Sequence, residues 1–254
     1  MRESDSVPAM LSLSRVSPAV ICLGLMLVLS SCVRRPAEPL RPSYPTRTEA
    51  PLVGGLIDRA IDGGTQALVV REGSNLGQCL AELSAARVRF SPVPDRQNTP
   101  TCGLSQGGVL GADLGTVARM SPGEVEMTCQ TALALSIWRR QSLEPAAREI
   151  LGSDVVQIDH MGAYACRNVN NGGVSNRVSA HARAMALDVS GVRLRDGRRI
   201  TLTDNWQGDA PEARFLRRIR DDACRIFGTV LSPDYNAVHA DHLHLEATDT
   251  RFCR

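Results

Sequence analysis

The chain contains no lysine: all 29 of its basic residues are arginines. A Schiff-base or lysine-general-base mechanism is therefore excluded. Aromatics are scarce at 4%, so a core must be built mostly from Ala, Val, Leu and Ile. Net charge is only +2, too little to argue for a nucleic-acid partner. No phosphate loop, Gly-x-Ser-x-Gly elbow or dinucleotide fingerprint occurs. No Cys-x-x-Cys pair occurs either, which leaves no thiolate zinc site to read.

What is present begins with histidine. Three of the five histidines fall between Val238 and His244. Residues two apart in a strand share a face, so His242 and His244 point the same way while Leu243 and Leu245 point to the core. Ser179-Ala180-His181 and Asp188 lie upstream. Two imidazoles and a carboxylate suit zinc and leave one tetrahedral position for water, the layout of a catalytic site.

The N-terminus reads as an export segment over residues 1–32. Arg2 and Arg15 supply positive charge, and Ala19 to Leu29 is apolar. That run is about half of the ~20 residues a membrane span needs, which favours a signal peptide. Leu29-Ser30-Ser31-Cys32 resembles a bacterial lipobox, which implies lipidation of Cys32 and a membrane anchor on it. The alternative is a simple secretory signal cut near Ser31, with Cys32 incidental and the protein a soluble secreted form. Residues 33–54 form a linker, with Pro36, Pro39, Pro42 and Pro45 recurring every three residues. In polyproline II form it spans on the order of 60 Å. Residues 55–254 form the folded domain. Cys79, Cys102, Cys129, Cys166, Cys224 and Cys253 are an even set in an exported chain and read as disulfides. Six cysteines allow fifteen pairings, and spacing does not choose among them.

Along the body, Gly77 to Ala86 reads as a helix and Arg87 to Phe90 as a strand. Ser121-Pro122-Gly123-Glu124 is a helix-start signature, with a helix expected to about Arg140 that buries one face. Pro145 to Leu151 reads as a second helix, stopped by Gly152. A strand opens at Val155 and is expected to reach as far as Cys166, and Asn170-Asn171-Gly172-Gly173 is a loop. Met185 to Val189 is a strand that holds Asp188, and Val192 to Leu202 is a hairpin turning at Asp196-Gly197. Asp209 is expected to cap a helix that buries Phe215, Leu216 and Ile219 and ends by Gly228. His242 to Glu246 is the last strand. Helices and hairpins without a βαβ rhythm indicate an α+β fold with a small, mainly antiparallel sheet flanked by helices and stapled by disulfides.

Ser179-x-His181, Asp188 and His242-x-His244 resemble the zinc signature of the hedgehog/D-Ala-D-Ala peptidase group, which cuts bacterial cell-wall peptides. A closer resemblance, from about Cys79 to Arg254, is to the bacterial extensin-like protein C-terminal domain family. It rests on Tyr164-Ala165-Cys166-Arg167, Ala186-Leu187-Asp188-Val189-Ser190-Gly191, Phe227-Gly228-Thr229-Val230-Leu231 and His239-x-Asp241-His242-x-His244. The resemblance implies a hedgehog/DD-peptidase-like fold, with His181, Asp188 and His244 as zinc ligands. It further implies a water activated by zinc, His242 as its base and Arg167 beside the developing oxyanion. Asp241 is the alternative base, and His239 is a transition-state contact or a support for the ligands. Ala184 stands where many relatives carry Gly, an exchange expected to narrow the pocket.

The expected activity is zinc-dependent hydrolysis of peptide bonds in peptidoglycan, as a D,D- or L,D-type carboxy- or endopeptidase. The expected location is the periplasm or the outer membrane, with the chain a monomer. Two rivals remain: a catalytically silent module that binds wall peptides or an envelope partner, and a structural membrane-to-wall tether.

Overall fold

The computed structural model describes residues 55–169 and 176–254. The export segment with Cys32, linker 33–54 and the Asn170-Asn171-Gly172-Gly173 loop lie outside the described residues. Two helices come first, α1 (Thr65–Gly73) and α2 (Leu76–Ala85). The Asn75 side chain caps α2 by accepting from the Gln78 amide. There follow β1 (Val88–Pro92), a short ribbon of β2 (Arg96–Gln97) with β3 (Gly103–Leu104), then β4 (Gly107–Asp113), β5 (Arg119–Ser121) and β6 (Val125–Thr128). Strands β1, β4 and β6 make an antiparallel sheet in the order β1-β4-β6.

The expected helix start at Ser121 is corrected here. Glu124 adopts φ 58°, in the left-handed region, and turns the chain between β5 and β6. Val125 and Met127 are buried while Glu126 and Thr128 are half-buried, which is the alternation of a strand. The helix begins one strand later as α3 (Cys129–Trp138), where the Thr128 hydroxyl accepts from the Thr131 amide. It buries every residue but Gln130, not one face only, and so forms the centre of the core.

Helical turns then continue to Leu151. Wide π turns at Arg139–Leu143 lead into α4 (Glu144–Ala146), and a second set runs over Ala147–Leu151. The two helices expected here are thus one body. Pro145 cannot donate to the helix ladder, and the wider turns on either side accommodate it. Gly152, at φ 67°, ends the run.

The remaining elements are β7 (Val155–His160), β8 (Ala186–Leu194), β9 (Arg199–Thr201), α5 (Leu202–Asn205), α6 (Pro211–Ala223), β10 (Thr229–Leu231), β11 (Leu243–Glu246) and β12 (Phe252–Cys253). They form a seven-stranded sheet with β5 in the order β12-β10-β11-β8-β7-β5, and β9 pairs with β8. Only β5/β7 and β10/β12 are parallel. The α+β class with a mainly antiparallel sheet is therefore present.

Four local differences have physical reasons. Strand β7 stops at His160, where the ring accepts the Gly162 amide and turns the chain. The expected Asp188 strand and first hairpin arm are one strand, β8, which turns into β9 through Gly197 at φ 93°. Asp209 does not cap α6, because the cap residue is Ala210 and Pro211 takes the first turn. Gly228 is no helix terminator: a Cβ there would run into the backbone of Thr248, so it marks a close approach of two chains.

The six body cysteines pair as Cys79–Cys129, Cys102–Cys166 and Cys224–Cys253. The last pins the C-terminus to the end of α6. Among the described residues no helix is long and apolar enough to cross a membrane.

Candidate metal centre

His244 and Asp188 are direct cross-strand partners on β11 and β8. Leu243 and Leu245 point into the core from the other face, so the pleat turns His244 outward toward Asp188. His181 arrives on a 3₁₀ turn, Ala180–Arg183, where the Ser179 hydroxyl accepts the His181 amide. The turn closes at Ala184, whose φ of 53° lies in the left-handed region that favours glycine. Ala184 is fully buried and is no part of the cavity wall, so it does not narrow the pocket. Its carbonyl accepts from the Thr128 amide and the Thr131 hydroxyl at the start of α3. Cys79–Cys129 in turn staples that start to α2. The first histidine is thus braced by the central helix.

One donor atom each from His181, Asp188 and His244 lies within 4.8 Å of the others. His181 Nε2 is 3.0 Å from Asp188 Oδ2 and 3.1 Å from His244 Nδ1. His244 Nδ1 is 2.7 Å from Asp188 Oδ1. The outer nitrogens are engaged elsewhere. His181 Nδ1 donates to the Ala163 carbonyl at 3.0 Å, and His244 Nε2 donates to Glu246 Oε1 at 2.9 Å. Those bonds fix the tautomers and aim the lone pairs of His181 Nε2 and His244 Nδ1 at the carboxylate. Three lone-pair donors converge where a cation satisfies them, and nitrogen with carboxylate oxygen is a zinc donor set.

The electrostatics agree with that demand for positive charge. Burial is the largest influence on Asp188 and opposes ionisation. Hydrogen bonds with His181 and His244 outweigh it and hold the carboxyl well below its usual range. For His244, burial again opposes the charge, but hydrogen bonds with Asp188 and Glu246 raise the ring to about 9. The carboxylates ask for a cation, and in its absence a proton supplies it.

The other expected site residues surround this cluster. His242 Nδ1 donates to Asp241 Oδ1 at 2.8 Å, which leaves Nε2 facing inward, 3.6 Å from Asp188 Oδ1. Asp241 itself is exposed and joins neither the donor cluster nor the cavity wall. His239 packs its ring 5.1 Å from His242 and 5.7 Å from His244, and its Nδ1 donates to Asn236 Oδ1. Burial, then the neighbouring His242 and His244, push His239 down to about 4, so it is neutral at ordinary pH. Arg167 Nη2 stands 4.0 Å from Asp188 Oδ2. A cavity of about 730 Å³ opens over the cluster, with Arg167, His239, His242 and His244 in its wall.

His160, Tyr164 and Trp206 stay outside the site. His160 is buried and bonded to the Pro122 carbonyl. Tyr164 accepts from Asn98, and Trp206 is buried with its indole donating to Asp234. Glu246, bonded to the outer nitrogen of His244, is the member of the candidate site that sequence reasoning missed. Its signal was the same period of two that pairs His242 with His244.

The model of the family described as Extensin-like protein C-terminus matches residues 77–254. No curated protein and no solved structure matches the chain.

Proposed function

The chain belongs to the extensin-like protein C-terminus family, and from that premise we propose that it is a zinc-dependent hydrolase of peptide bonds in peptidoglycan. The reaction is of the D,D- or L,D-type, carboxy- or endopeptidase, on a fold of the hedgehog/D-Ala-D-Ala peptidase kind. The observation that carries the proposal is the convergence of His181 Nε2, His244 Nδ1 and Asp188, the last two of which line an open cavity. These three would hold the zinc. Zinc, when bound, supplies Lewis acidity and brings the pKa of a water toward 7.

The chain's own residues supply the rest. His242 Nε2 takes the proton that the attacking water gives up, and Asp241 holds the opposite N–H so that this nitrogen faces inward. Arg167, fixed beside the cluster, balances negative charge as it develops on the carbonyl oxygen. Glu246 and the Ala163 carbonyl keep both ligand rings in their ligating tautomer. His239, neutral, packs against both working histidines.

Export agrees with this substrate. Three disulfides belong to an oxidising compartment. The apolar run Ala19 to Leu29, followed closely by Cys32, supports a periplasmic or outer-membrane lipoprotein anchored through that cysteine. The test is digestion of purified wall peptides by the full chain with zinc or with chelator, the products read by mass. Cleavage only with zinc supports the proposal. Peptides unchanged under zinc-replete conditions across several wall types would favour a silent binding module or a tether.

A further inference from the structure

A second cavity, of about 500 Å³, shares Arg183 and Met185 with the wall of the first. Its other side is the β2–β3 ribbon and the turn between the two strands, contributing Gln97, Thr99 and Thr101. That ribbon is small but firmly tied. Cys102 is bridged to Cys166, the neighbour of Arg167. Asn98 donates to the Tyr164 hydroxyl at 2.6 Å, and Arg96 lies over the Tyr164 ring. The two cavities are therefore walled by one cross-linked unit, with the candidate active-site arginine beside the staple.

The charges in the second cavity are not equivalent. Arg96 is already paired with Glu126. Arg183 is exposed and makes no ion pair among the described residues. Asp95, also exposed, accepts from the Ser105 hydroxyl at 2.6 Å and the Gln106 amide at 2.8 Å, but no cation pairs with it among the described residues. Two neutral donors leave a carboxylate with lone pairs to offer. One uncompensated cation and one uncompensated anion thus line a cavity otherwise rich in hydroxyl and amide groups.

We propose that this second cavity is a subsite for a zwitterionic residue, with Asp95 receiving an ammonium group and Arg183 a carboxylate. Resting on the reading of the chain as a wall-peptide hydrolase, this names the part of the substrate that extends beyond the cut bond. It is a diamino dicarboxylic acid whose side-chain amine and side-chain carboxylate are both free. Arg183 stands between the two cavities and sets the register of the peptide across the candidate metal centre. Specificity then comes from a pair of opposite charges, each of which rejects a partner lacking its counterpart.

The test measures binding, not cleavage. The full chain, kept in chelator, is titrated calorimetrically with a synthetic wall stem tripeptide that ends in a diamino dicarboxylic acid and has its backbone carboxyl terminus amidated. Two further peptides have the side-chain amine acetylated or the side-chain carboxylate amidated. Each block should weaken binding to the wild type by about three- to tenfold. Asp95→Asn should abolish the penalty for acetylation alone, and Arg183→Gln the penalty for amidation alone. Equal penalties in wild type and variants, or no binding of any of the three peptides, would overturn the subsite. Failure of the zinc reading appears separately, as wall peptides left uncut in zinc while this selective binding persists.

Discussion

Two buried groups of ionisable side chains lie in this protein, and they are built on opposite terms. Around Arg139 and Arg140 the charges match. Arg140 pairs with Asp113 and Asp58, Arg148 pairs with Glu144, and Asp113 and Glu144 both act on the buried Arg139. Around His244 they do not match. Asp188 is buried and Glu246 half-buried, both are held ionised, the His244 ring between them is charged only by taking up a proton, and Arg167 reaches only 4.0 Å from one carboxylate. The first group is shut away from solvent at Arg139, whose Nη2 donates to the Ala118 carbonyl while its Nε and Nη1 find no hydrogen-bond partner. The second opens onto a cavity. A buried set that neutralises itself is architecture; a buried set short of positive charge and open to solvent is a place for a cation.

The comparison breaks most visibly at Asp188. Asp188→Asn removes the anionic donor, and zinc-dependent cleavage of wall peptides should fall more than about a thousandfold, beyond the 10–100-fold typical of supporting residues. Assay of the folded variant with excess zinc checks this. At His242 the expectation differs in kind. His242→Ala should keep the zinc and lose about 10²–10⁴ in rate. Asp241→Asn should lose less, because it only orients the ring. Zinc content measured beside kcat separates the two roles.

The matched group should respond in stability alone. Arg140→Met leaves the buried Asp113 without its ion-pair partner, and unfolding free energy should drop by about 3 kcal/mol. Denaturant melts read this, and the folded fraction should still bind zinc as the wild type does. A smaller effect is expected at Glu246. Glu246→Gln should lower zinc affinity about 10–100-fold without altering the ligand count.

The pH dependence follows from the same groups. His244 of the zinc-free protein is raised to about 9. Its charged form therefore contributes stability in full below about 6.5, the unfolded value, and loses it as pH rises through 9. Zinc must displace that proton, so zinc binding at pH 7 should release about one proton and tighten as pH rises. Calorimetry in buffers of different ionisation heat measures the release. In Glu246→Gln, with one carboxylate fewer beside the ring, less proton should be released at pH 7.

Much of the candidate site was legible because strands have a period of two. His242-Leu243-His244 states its own geometry once it is a strand, and Asp188 needed only a neighbouring strand. Helix α6 was legible from Pro211 and the spacing of Phe215, Leu216 and Ile219. The rest depended on distant partners. Strand β4 is weak in its own sequence, with Gly107, Gly108 and Gly111. A Cβ at Gly108 would collide with β1, so its glycines record a neighbour that local pattern cannot show. At Ser121 a capping pattern outweighed the alternation of Val125 to Thr128, because both signals occupied the same few residues. Glu246 escaped notice because a period of two puts it on the face of His244 but does not say that its carboxylate meets the far nitrogen of that ring. Position 184 shows the reverse: backbone conformation, not pocket shape, is what a glycine there would serve.

The central claim is that His181, Asp188 and His244 together grip one zinc ion. Equilibrium dialysis of the full chain against buffered zinc, beside His181→Ala, tests it most directly. One tightly bound zinc per wild-type chain, lost in the variant while its disulfides and fold persist, is the result predicted. Equal zinc uptake by both proteins, or none by the wild type, would contradict it.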